Sequence, residues 1–560
     1  MTSLPSISKL LHREQRRTRG LKRTTEHIHP VTLTVGAQLQ KLPLLRIAVM
    51  LILGLIAGYA MRHIADTRIW LILSATLLLI SVISWKLAVA QSIMIHLCVF
   101  ATGAFLLNKQ LDNVEKSIPA GFVEFDGVIV SEPVERAKTY RCDILITEMR
   151  IEEGANERDT ISIRHGMKCR AYFHKDEYSK HLSVGQGFAA SAALTPAREH
   201  SRNRYVEGFD YGRYLINTGY SATAYIGADY WQGTAVSLQS LSMWQRTRIK
   251  AMHLRSKLLE KYSANGINGQ ELAVLSALTL GDKSLLTDKT RDDYSVAGAS
   301  HILALSGLHL TIIYAVLTLL TGRMRRKYIV TLLTIISIWT FVFISGMSPS
   351  VTRAAIMLTM YAFCRMMNRG RPSLNTLSTA AIVLLVADPL SLYNVGFQLS
   401  FMAMLSIGMF YRPFISCLSP TLMSIWPVNA LLSMTAVSIA AQIGTVPLVI
   451  YYFGHFPLYS LITNIIVVIG ATIVLYGAVL FFICTPLATI QALLADALSK
   501  VLGWMNMAVA EIASLPGNGT LAFKPSELQV LMVYIVIFAV YRIGCLLWRV
   551  YSYGREIKGI

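Results

Sequence analysis

Long apolar runs dominate this chain, and one polar interval divides them into two groups. The first group covers about 44–61, 69–85 and 87–107. A helix needs about 20 apolar residues to cross the hydrocarbon core of a bilayer, so each run predicts one membrane span. The second group predicts spans at about 302–321, 328–345, 350–366, 374–388, 395–411, 429–450, 458–484, 490–514 and 526–548.

The run at 490–514 is the one whose crossing the pattern leaves open, because it carries Asp496, Lys500 and Glu511. The whole pattern predicts a polytopic α-helical membrane protein with about 10–12 transmembrane helices. Composition agrees with this fold class. Hydrophobic residues make up 54% of the chain and charged residues 15%, whereas a soluble chain has about 25% charged residues.

The polar interval, 108–228, has the two-residue period of β-strands. In "RCDILITEM", Cys142, Ile144 and Ile146 fall on one face, and "TISIRH", "KCRAYFH", "GQGFAASAAL" and "YSATAYI" are further strand candidates. Short strands separated by turn residues predict a small all-β domain. An OB-like barrel is one such fold, although periodicity alone does not separate it from other small β folds.

The stretch 229–296 has a helical pattern that mixes apolar and basic residues. Its segment "SMWQRTRIKAMHLRSKLLEKY" fits two interpretations. The helix lies on a membrane surface, or it packs as an ordinary helix on the neighbouring domain. In both cases the stretch is predicted to be an amphipathic helical connector between the β domain and the second group of spans.

The formal net charge of +20 has two explanations. Lys and Arg collect in cytoplasmic loops of membrane proteins, or the charge serves an anionic partner such as nucleic acid. The tail 1–41 and the loops "GRMRRK" and "RMMNRGR" are basic and are therefore predicted to be cytoplasmic. Three crossings (42–107) then place the β domain (108–228) on the extracytoplasmic side of the membrane. The remainder, 297–560, is predicted to form a polytopic domain with a cytoplasmic carboxyl terminus.

The stretch "AGASHILALSGLHLTII" brings polar groups into the start of an apolar run. Its candidate residues are His301, Ser306, Gly307 and His309. Ser306 and His309 suggest a nucleophile and its base, but the G-x-S-x-G elbow is missing and no acidic residue lies nearby in sequence to orient the imidazole. Small residues at this position also allow close helix packing. A third interpretation is a broken helix beside a polar pathway.

Four more polar side chains fall within predicted spans: Arg353, Gln398, Gln442 and Asn464. Each alone is typical of a hydrogen bond between helices. Together they indicate an internal polar cavity, which is a feature of transporters and channels.

No motif in this sequence predicts a cofactor, a metal or an enzymatic step. It has no G-x-x-x-x-G-K-[ST] phosphate loop and no H-E-x-x-H, and its seven cysteines include no C-x-x-C pair. Cys142 and Cys169 lie in the interval predicted to be outside. An oxidising compartment permits a disulfide between them, but the sequence does not decide whether it forms.

Four segments in order resemble the ComEC family of competence proteins: "ALTLGDKSLLTDKTRDDYSVAGASHILALSGLHLTII", "SGMSPSVTRAAIML", "DPLSLYNVGFQLSFMAM" and "AQIGTVPLVIYYFGHFPLYSLITN". "FDYGRYLINTGY" resembles the segment that closes the family's extracytoplasmic OB-like domain. The resemblance runs from about Val123 to the carboxyl end. It implies an inner-membrane channel that passes single-stranded DNA into the cytoplasm during natural transformation.

The resemblance carries over to individual positions. His301, Ser306, Gly307, His309, Arg353, Phe397, Gln398 and Ser400 match the family's signature positions, and with Gln442 and Asn464 they are expected to shape or line the route. OB barrels bind single strands through stacked aromatics and basic grooves. Composition alone suggests Lys138, Tyr140, Arg141, Arg170, Tyr172 and Lys175 as DNA-binding candidates.

The resemblance also implies partners besides DNA and the lipid bilayer. Longer family members carry a metallo-β-lactamase-like domain whose metal motif is absent here, so the sequence is expected to be a short form. A DNA receptor, a nuclease and a cytosolic helicase or translocase are then expected to be separate proteins. The alternatives are a transporter of another anionic or lipid-linked substrate and a membrane-embedded serine hydrolase.

Overall fold

The computed structural model describes residues 42–115, 118, 121–152, 158–202, 210–234, 241–321, 327–366, 374–517 and 525–558. The basic tail and most of the two basic loops lie outside this range. The helices are α1 Pro43–Ala60, α2 Thr67–Ile83, α3 Ala88–Val114, α4 Ala197–Arg202, α5 Tyr211–Asn217, α6 Met243–Ala264, α7 Gly269–Leu280, α8 Asp288–Val296, α9 Ser300–Leu303, α10 Gly307–Thr321, α11 Lys327–Ile344, α12 Pro349–Met366, α13 Leu374–Ala387, α14 Val395–Ser416, α15 Pro420–Ser424, α16 Trp426–Phe453, α17 Ser460–Ile483, α18 Ala488–Ser514 and α19 Glu527–Lys558. The strands are β1 Phe122–Ile129, β2 Val134–Glu135, β3 Thr139–Glu152, β4 Arg158–His174, β5 Gly187–Pro196, β6 Ala222–Ile226 and β7 Trp231–Gly233.

Five of the strands close into a barrel. Strand β1 pairs antiparallel with β3, β3 with β4, and β5 with both β6 and β1, while β4 and β6 run parallel. The alternation seen in the sequence is confirmed here, because Cys142, Ile144 and Ile146 of β3 all point into the buried core. The strands proposed for "TISIRH" and "KCRAYFH" are one continuous strand, β4.

The structure corrects the predicted connector at both of its ends. Residues 231–233 form a strand, β7, that pairs with β5 of the barrel. Helix α6 packs Ile249 and Met252 against Val128 and Leu145 of the barrel, so it takes the ordinary packing alternative. Helix α7 is buried along Ala273–Leu280, where it packs on α17 and α18 as part of the helical domain.

The barrel is attached to the membrane helices at a second place, through α4 and α5. Glu115, just after α3, forms ion pairs with Arg62 and with Arg198 of α4. Leu215 and Ile216 of α5 are buried with residues of α1, α3 and α13. The segment "FDYGRYLINTGY" therefore joins the barrel to the first and second groups of helices at once.

Among the described residues, eight helices are long and apolar enough to cross a membrane: α1, α2, α3, α14, α16, α17, α18 and α19. Residues 307–317, 328–344 and 374–387 form shorter apolar helices. The chain is thus a polytopic helical membrane protein, and its described residues hold fewer full-length spans than the 10–12 predicted. The run at 490–514 belongs to α18, which is among the eight.

The predicted continuous span 302–321 is wrong, because the helix breaks. Helix α9 ends at Leu303, Ala304 is extended with ψ 122°, and α10 begins only at Gly307. Of the interpretations given to the opening stretch, the structure therefore shows the broken helix.

Candidate functional site

The break between α9 and α10 is held by a reciprocal pair of side-chain contacts. The Ser306 Oγ atom accepts a hydrogen bond from the Leu308 amide at 3.3 Å. The Ser306 amide in turn donates to Nδ1 of His309 at 3.1 Å. This resembles a capping box, with histidine in the place of the usual Glu or Gln.

The other ring nitrogen of His309 is left without a partner. Since Nδ1 accepts a backbone N–H, the neutral ring carries its proton on Nε2. The Nε2 atom is buried and has no hydrogen-bond partner among the described residues. Ser306 Oγ also lies 3.2 Å from Nδ1, so the nucleophile–base pair considered from the sequence is in contact. No third group among the described residues bonds to the other ring nitrogen.

Arg353 is the fifth residue of α12 and is buried. Its Nη2 donates to Ser350 Oγ at a long 3.4 Å, and its Nε has no partner among the described residues. No ion pair to Arg353 is found in that part of the chain. A buried guanidinium without a counter-ion is costly, so this charge calls for water or an anion next to it.

Gln398, Gln442 and Asn464 lie on the neighbouring helices α14, α16 and α17. Tyr452 donates to Gln398 Oε1 at 2.8 Å, and Gln442 Nε2 donates to Ser460 Oγ at 3.1 Å. Both glutamines therefore make hydrogen bonds between helices. Asn464, one turn after Ser460, has a buried Oδ1 without a partner among the described residues.

These residues come from distant segments, and the helices that carry them contact one another. A Cβ on Gly396 would lie 2.9 Å from Arg353 Nη2, which places the guanidinium against the start of α14. A Cβ on Gly298 would lie 2.7 Å from the Ser460 side chain, which brings the segment before α9 onto α17. We call the set Ser306, His309, Arg353, Gln398, Gln442 and Asn464 the polar seam.

Two further signature positions lie beside the seam. His301 of α9 is on the exposed side of its helix. A Cβ on Gly307 would lie 3.7 Å from the Cβ of Ala354, an ordinary contact. Close helix packing therefore does not require glycine at position 307.

Two of the DNA-binding candidates lie on the outer face of β4, under α5. Arg170 Nε donates to Asp143 Oδ1 at 3.3 Å, and its guanidinium lies 4.3 Å from the Tyr220 ring centroid. Tyr172 shares a hydrogen bond with Tyr211 at 3.1 Å. Both candidates thus have partners within the chain, and their role in binding DNA stays a prediction.

Electrostatics in this cluster follow from burial and from Asp143. Burial lowers the pKa of Lys168 to about 8. Burial alone would lower the pKa of Arg170, but Tyr220 and Asp143 together raise it. Tyr220, whose hydroxyl donates to Asp143 at 2.5 Å, was missed from the sequence. The feature that could have drawn attention to this cluster is the direct pairing of Asp143 with Arg170 in the β3–β4 register.

The other DNA-binding candidates are more open. Lys175 pairs with Glu135 at 2.7 Å and lies 5.7 Å from the Tyr140 ring centroid. Lys138 is exposed, and Arg141 lines the pocket described below.

The structure does not form the disulfide left open by the sequence. Cys142 and Cys169 are free thiols buried in the barrel core. Cys142 is opposite Ala171 and Cys169 is opposite Ile144, so the two cysteines are diagonal neighbours on adjacent strands. Burial raises the pKa of both thiols, which keeps them protonated and unreactive.

A pocket of about 410 Å³ lies where the barrel meets the helical domain. It is lined by Glu132, Val134, Arg141, Arg255, Gly281, Asp282, Lys283, Ser284 and Arg291. At its base, buried Arg255 of α6 forms an ion pair with Glu132 of the barrel. Burial and the neighbouring Asp282 raise the pKa of Glu132 to about 7.

Asp282 is the second carboxyl of this cluster. Burial would raise its pKa, but the hydrogen bond from Glu132, the Arg255 charge and the Ser284 amide lower it. The two carboxyls therefore share one proton around neutral pH. The sequence had shown Asp282 and Lys283 only inside a matching segment, and the distance of 150 residues that separates them from Glu132 hid the cluster.

No group of three or more metal-ligating side chains that could hold an ion is found among the described residues. The described helices and barrel define a multi-pass membrane protein with a polar seam between its helices and a cationic pocket beneath its barrel. Residues 278–548 match the family model described as competence protein. No solved structure matches the chain.

A curated relative extends this match. ComE operon protein 3 of Bacillus subtilis (strain 168) is 28% identical over 331 residues, which are 58% of this chain. The matched part spans 40% of the relative's length. Residues 278–548 thus match the competence-protein family, and the chain is similar to ComE operon protein 3 over 331 residues.

Proposed function

We propose that this chain passes single-stranded DNA across the cytoplasmic membrane during the uptake of DNA in natural transformation. The proposal rests on the match to the competence-protein family for the process and on the polar seam for the route. It assigns no enzymatic step to the chain. Binding of incoming DNA, degradation of the second strand and the force that pulls the first are assigned to a separate receptor, a nuclease and a cytosolic helicase or translocase.

The single observation that supports a route most directly is the state of Arg353. Three seam residues carry buried polar atoms without partners among the described residues: His309 Nε2, Arg353 Nε and Asn464 Oδ1. Buried polar groups in proteins are almost always hydrogen-bonded. Three exceptions on helices that contact one another fit a path that water or a phosphate backbone fills, and only Arg353 among them carries a full charge.

The barrel is suited to meet the strand before the seam does. Its strand order, β1-β3-β4-β6-β5 closing on β1 with a single parallel pair, supports an OB-like fold, which is a five-stranded barrel. Such barrels bind single strands on an outer face. Three candidate spans precede it among the described residues, and with a cytoplasmic basic tail this supports an extracytoplasmic barrel.

The experiment that tests this function measures labelled DNA entering a nuclease-protected compartment. We expect deletion of the gene to abolish entry while DNA still binds at the cell surface. Arg353→Met should lower entry about 100-fold, roughly 2.8 kcal/mol at 1.4 kcal/mol per tenfold, because the strand loses a buried charged contact along the seam. Arg412→Met is the matched control, since Arg412 is an exposed arginine at the end of α14.

Two outcomes would contradict the proposal. Normal entry in the deletion strain would remove the role in DNA uptake, and an accompanying envelope defect would favour transport of another anionic or lipid-linked substrate. Equal loss of entry in Arg353→Met and in Arg412→Met, at equal protein levels, would remove the seam as the route.

One observation favours a second function, membrane-embedded hydrolysis, which is the 3.2 Å contact between Ser306 Oγ and His309 Nδ1. A fluorophosphonate probe tests it, because such probes react only with an activated serine hydroxyl. Labelling that Ser306→Ala abolishes would support a hydrolase. We expect none, since both groups already cap α10.

A further inference from the structure

We propose that the pocket beneath the barrel is a phosphate-binding site, in which Arg141, Lys283 and Arg291 hold a phosphodiester group of the strand before it enters the seam. The pocket is formed by two parts of the fold. Arg141 comes from β3 of the barrel, while Lys283 and Arg291 come from the segment 281–291 of the helical domain. The identity of the strand as DNA rests on the proposed function, whereas the binding of phosphate does not.

The charges of the pocket favour an anion. At its base, Glu132, Arg255 and Asp282 compensate one another. The three cations at its mouth have much less compensation. Arg291 pairs with exposed Asp288 at 3.5 Å, and neither Arg141 nor Lys283 forms an ion pair or a side-chain hydrogen bond within the described part of the chain.

The mouth cations also lie close enough to act on one another. Burial lowers the pKa of Arg291, and the charges of Arg136 and Arg141 lower it further while Asp288 opposes them. Like charges held together in a folded protein destabilise each other. A dianionic or diester phosphate between them relieves this repulsion and accepts hydrogen bonds from both guanidinium groups.

The base of the pocket keeps the mouth in shape. Asp282 accepts a hydrogen bond from the Ser284 amide at 2.8 Å, which fixes the turn that carries Lys283. Arg291 Nη2 donates to the Lys283 carbonyl at 2.7 Å and ties α8 to the same turn. The volume of about 410 Å³ is within the range of small-ligand sites.

The inner wall of the pocket touches the elements that form the seam. Gly281 has φ 75°, and a Cβ there would lie 2.6 Å from Leu305 and 3.2 Å from the Ser345 carbonyl. Leu305 is next to Ser306 in the broken helix, and Ser345 precedes the turn into α12 with Arg353. A phosphate in the pocket would therefore lie beside the start of the polar seam.

The test measures binding by the full chain in nanodiscs of neutral phosphatidylcholine, with a fluorescein-labelled 12-nucleotide oligothymidylate. Affinity is measured from low to moderate salt for wild type, for the three single Gln variants and for R141Q/K283Q/R291Q. The control is Lys180→Gln, since Lys180 is an exposed lysine of the barrel region outside the pocket. Lys283→Arg, which keeps the charge, tests for rescue.

The expected result follows from counter-ion release. Each phosphate contact contributes about 0.7 to the slope of log affinity against log salt concentration for a single strand. The slope of the triple variant should therefore be smaller by about 2, and the variant should bind at least ~10-fold more weakly at low salt. Lys180→Gln should stay within about twofold of wild type. An abasic strand of the same length should compete, because the site contacts phosphate and not bases.

The outcomes separate this proposal from the proposed function. A triple variant that binds with wild-type affinity and salt slope overturns the phosphate site, even if DNA uptake is later found to need the chain. Glycerol 3-phosphate that binds in a pocket-dependent way, without oligonucleotide binding, supports the site with a lipid headgroup as ligand and contradicts the DNA function. An equal thermal midpoint for wild type and the triple variant shows that a loss of binding is not a loss of folding.

Discussion

Two arginines of this protein are buried to nearly the same degree, and their surroundings are opposite. Arg255, between the barrel and the helical domain, is 5% exposed and contacts Glu132, with Asp282 beside it. Arg353, at the start of α12, is 7% exposed and has one long hydrogen bond to Ser350. The first charge is compensated by the fold itself. The second is compensated by nothing in the described chain.

The comparison shows how to distinguish a buried charge that stabilises the fold from one that is kept for function. A paired buried arginine ties two elements together, and removing it leaves an uncompensated partner. An unpaired one costs the fold free energy in the resting state. A fold that keeps such a charge indicates that something outside the chain, such as water or a passing anion, meets it during function.

The largest expected effect is the loss of stability in Arg255→Met. It leaves two buried carboxyls without their cation, and breaking a buried pair in this way costs about 3–5 kcal/mol. Arg353→Met should leave the thermal midpoint of the detergent-solubilised protein unchanged or raise it, since it removes an uncompensated charge. Similar losses in both variants would break the comparison, because Arg353 would then have a structural partner.

The next effect is a pH dependence at the barrel junction. Glu132 has its pKa raised from 4.5 to about 7 in the folded state, so its contribution to stability is full below pH 4.5 and is lost as the pH rises through 7. At 1.36 kcal/mol per pKa unit this amounts to at most about 3.4 kcal/mol. The lowered pKa of Asp282 acts in the other direction, because its contribution is present above its unfolded value of 3.8 and is lost below it.

The midpoint measured between pH 4 and 8 should therefore be highest near pH 4–5 and fall towards pH 8. Glu132→Gln, which imitates the protonated carboxyl, should flatten the fall above pH 5. Glu177→Gln is the control, since Glu177 is an exposed carboxyl of the barrel region. A wild-type profile that stays flat from pH 5 to 8 would show that Glu132 is already ionised in the folded protein.

The smallest effects distinguish a glycine that is needed for helix packing from one that serves the proposed DNA path. A Cβ on Gly444 of α16 would lie 2.6 Å from the Ser406 side chain and 2.7 Å from the Met402 carbonyl. Gly444→Ala should thus destabilise the protein by about 1–3 kcal/mol through overpacking. Gly307→Ala has room and should stay within about 0.5 kcal/mol of wild type. If Gly307→Ala blocks DNA entry while the stability of the protein is unchanged, Gly307 has a role in the DNA path and not in packing.

Periodicity was sufficient for the parts of the fold where one face of an element is buried. It identified the strand with Cys142 and Ile144 and the apolar runs, because burial imposes a period on sequence. It failed at Ala304, where an apolar residue hides a helix break that a capping pair, Ser306 and His309, makes possible. It also missed the Glu132 cluster, since contacts between remote segments leave no local pattern.

The candidate residues also divide into those that the sequence identified well and those for which it lacked the contacts between remote segments. The resemblance selected seam positions that the structure brings onto neighbouring helices, as with Arg353 and Gln398. Composition selected Arg170 and Tyr172, and the structure gives both of them partners on the chain. A count of basic and aromatic residues does not distinguish a charge that faces solvent from one covered by α5, because the covering segment is folded over it from elsewhere.

The two attachments of the barrel have a mechanical consequence. One runs through α4 and α5 to the helices around Glu115, and the other through α6 and Arg255 to the helical domain. A body held at one point swivels in every direction, whereas a body held at two can only hinge about the line between them. Rotation about that line is therefore the motion that the two attachments leave to the barrel, and both sets of membrane helices would carry any load applied to it.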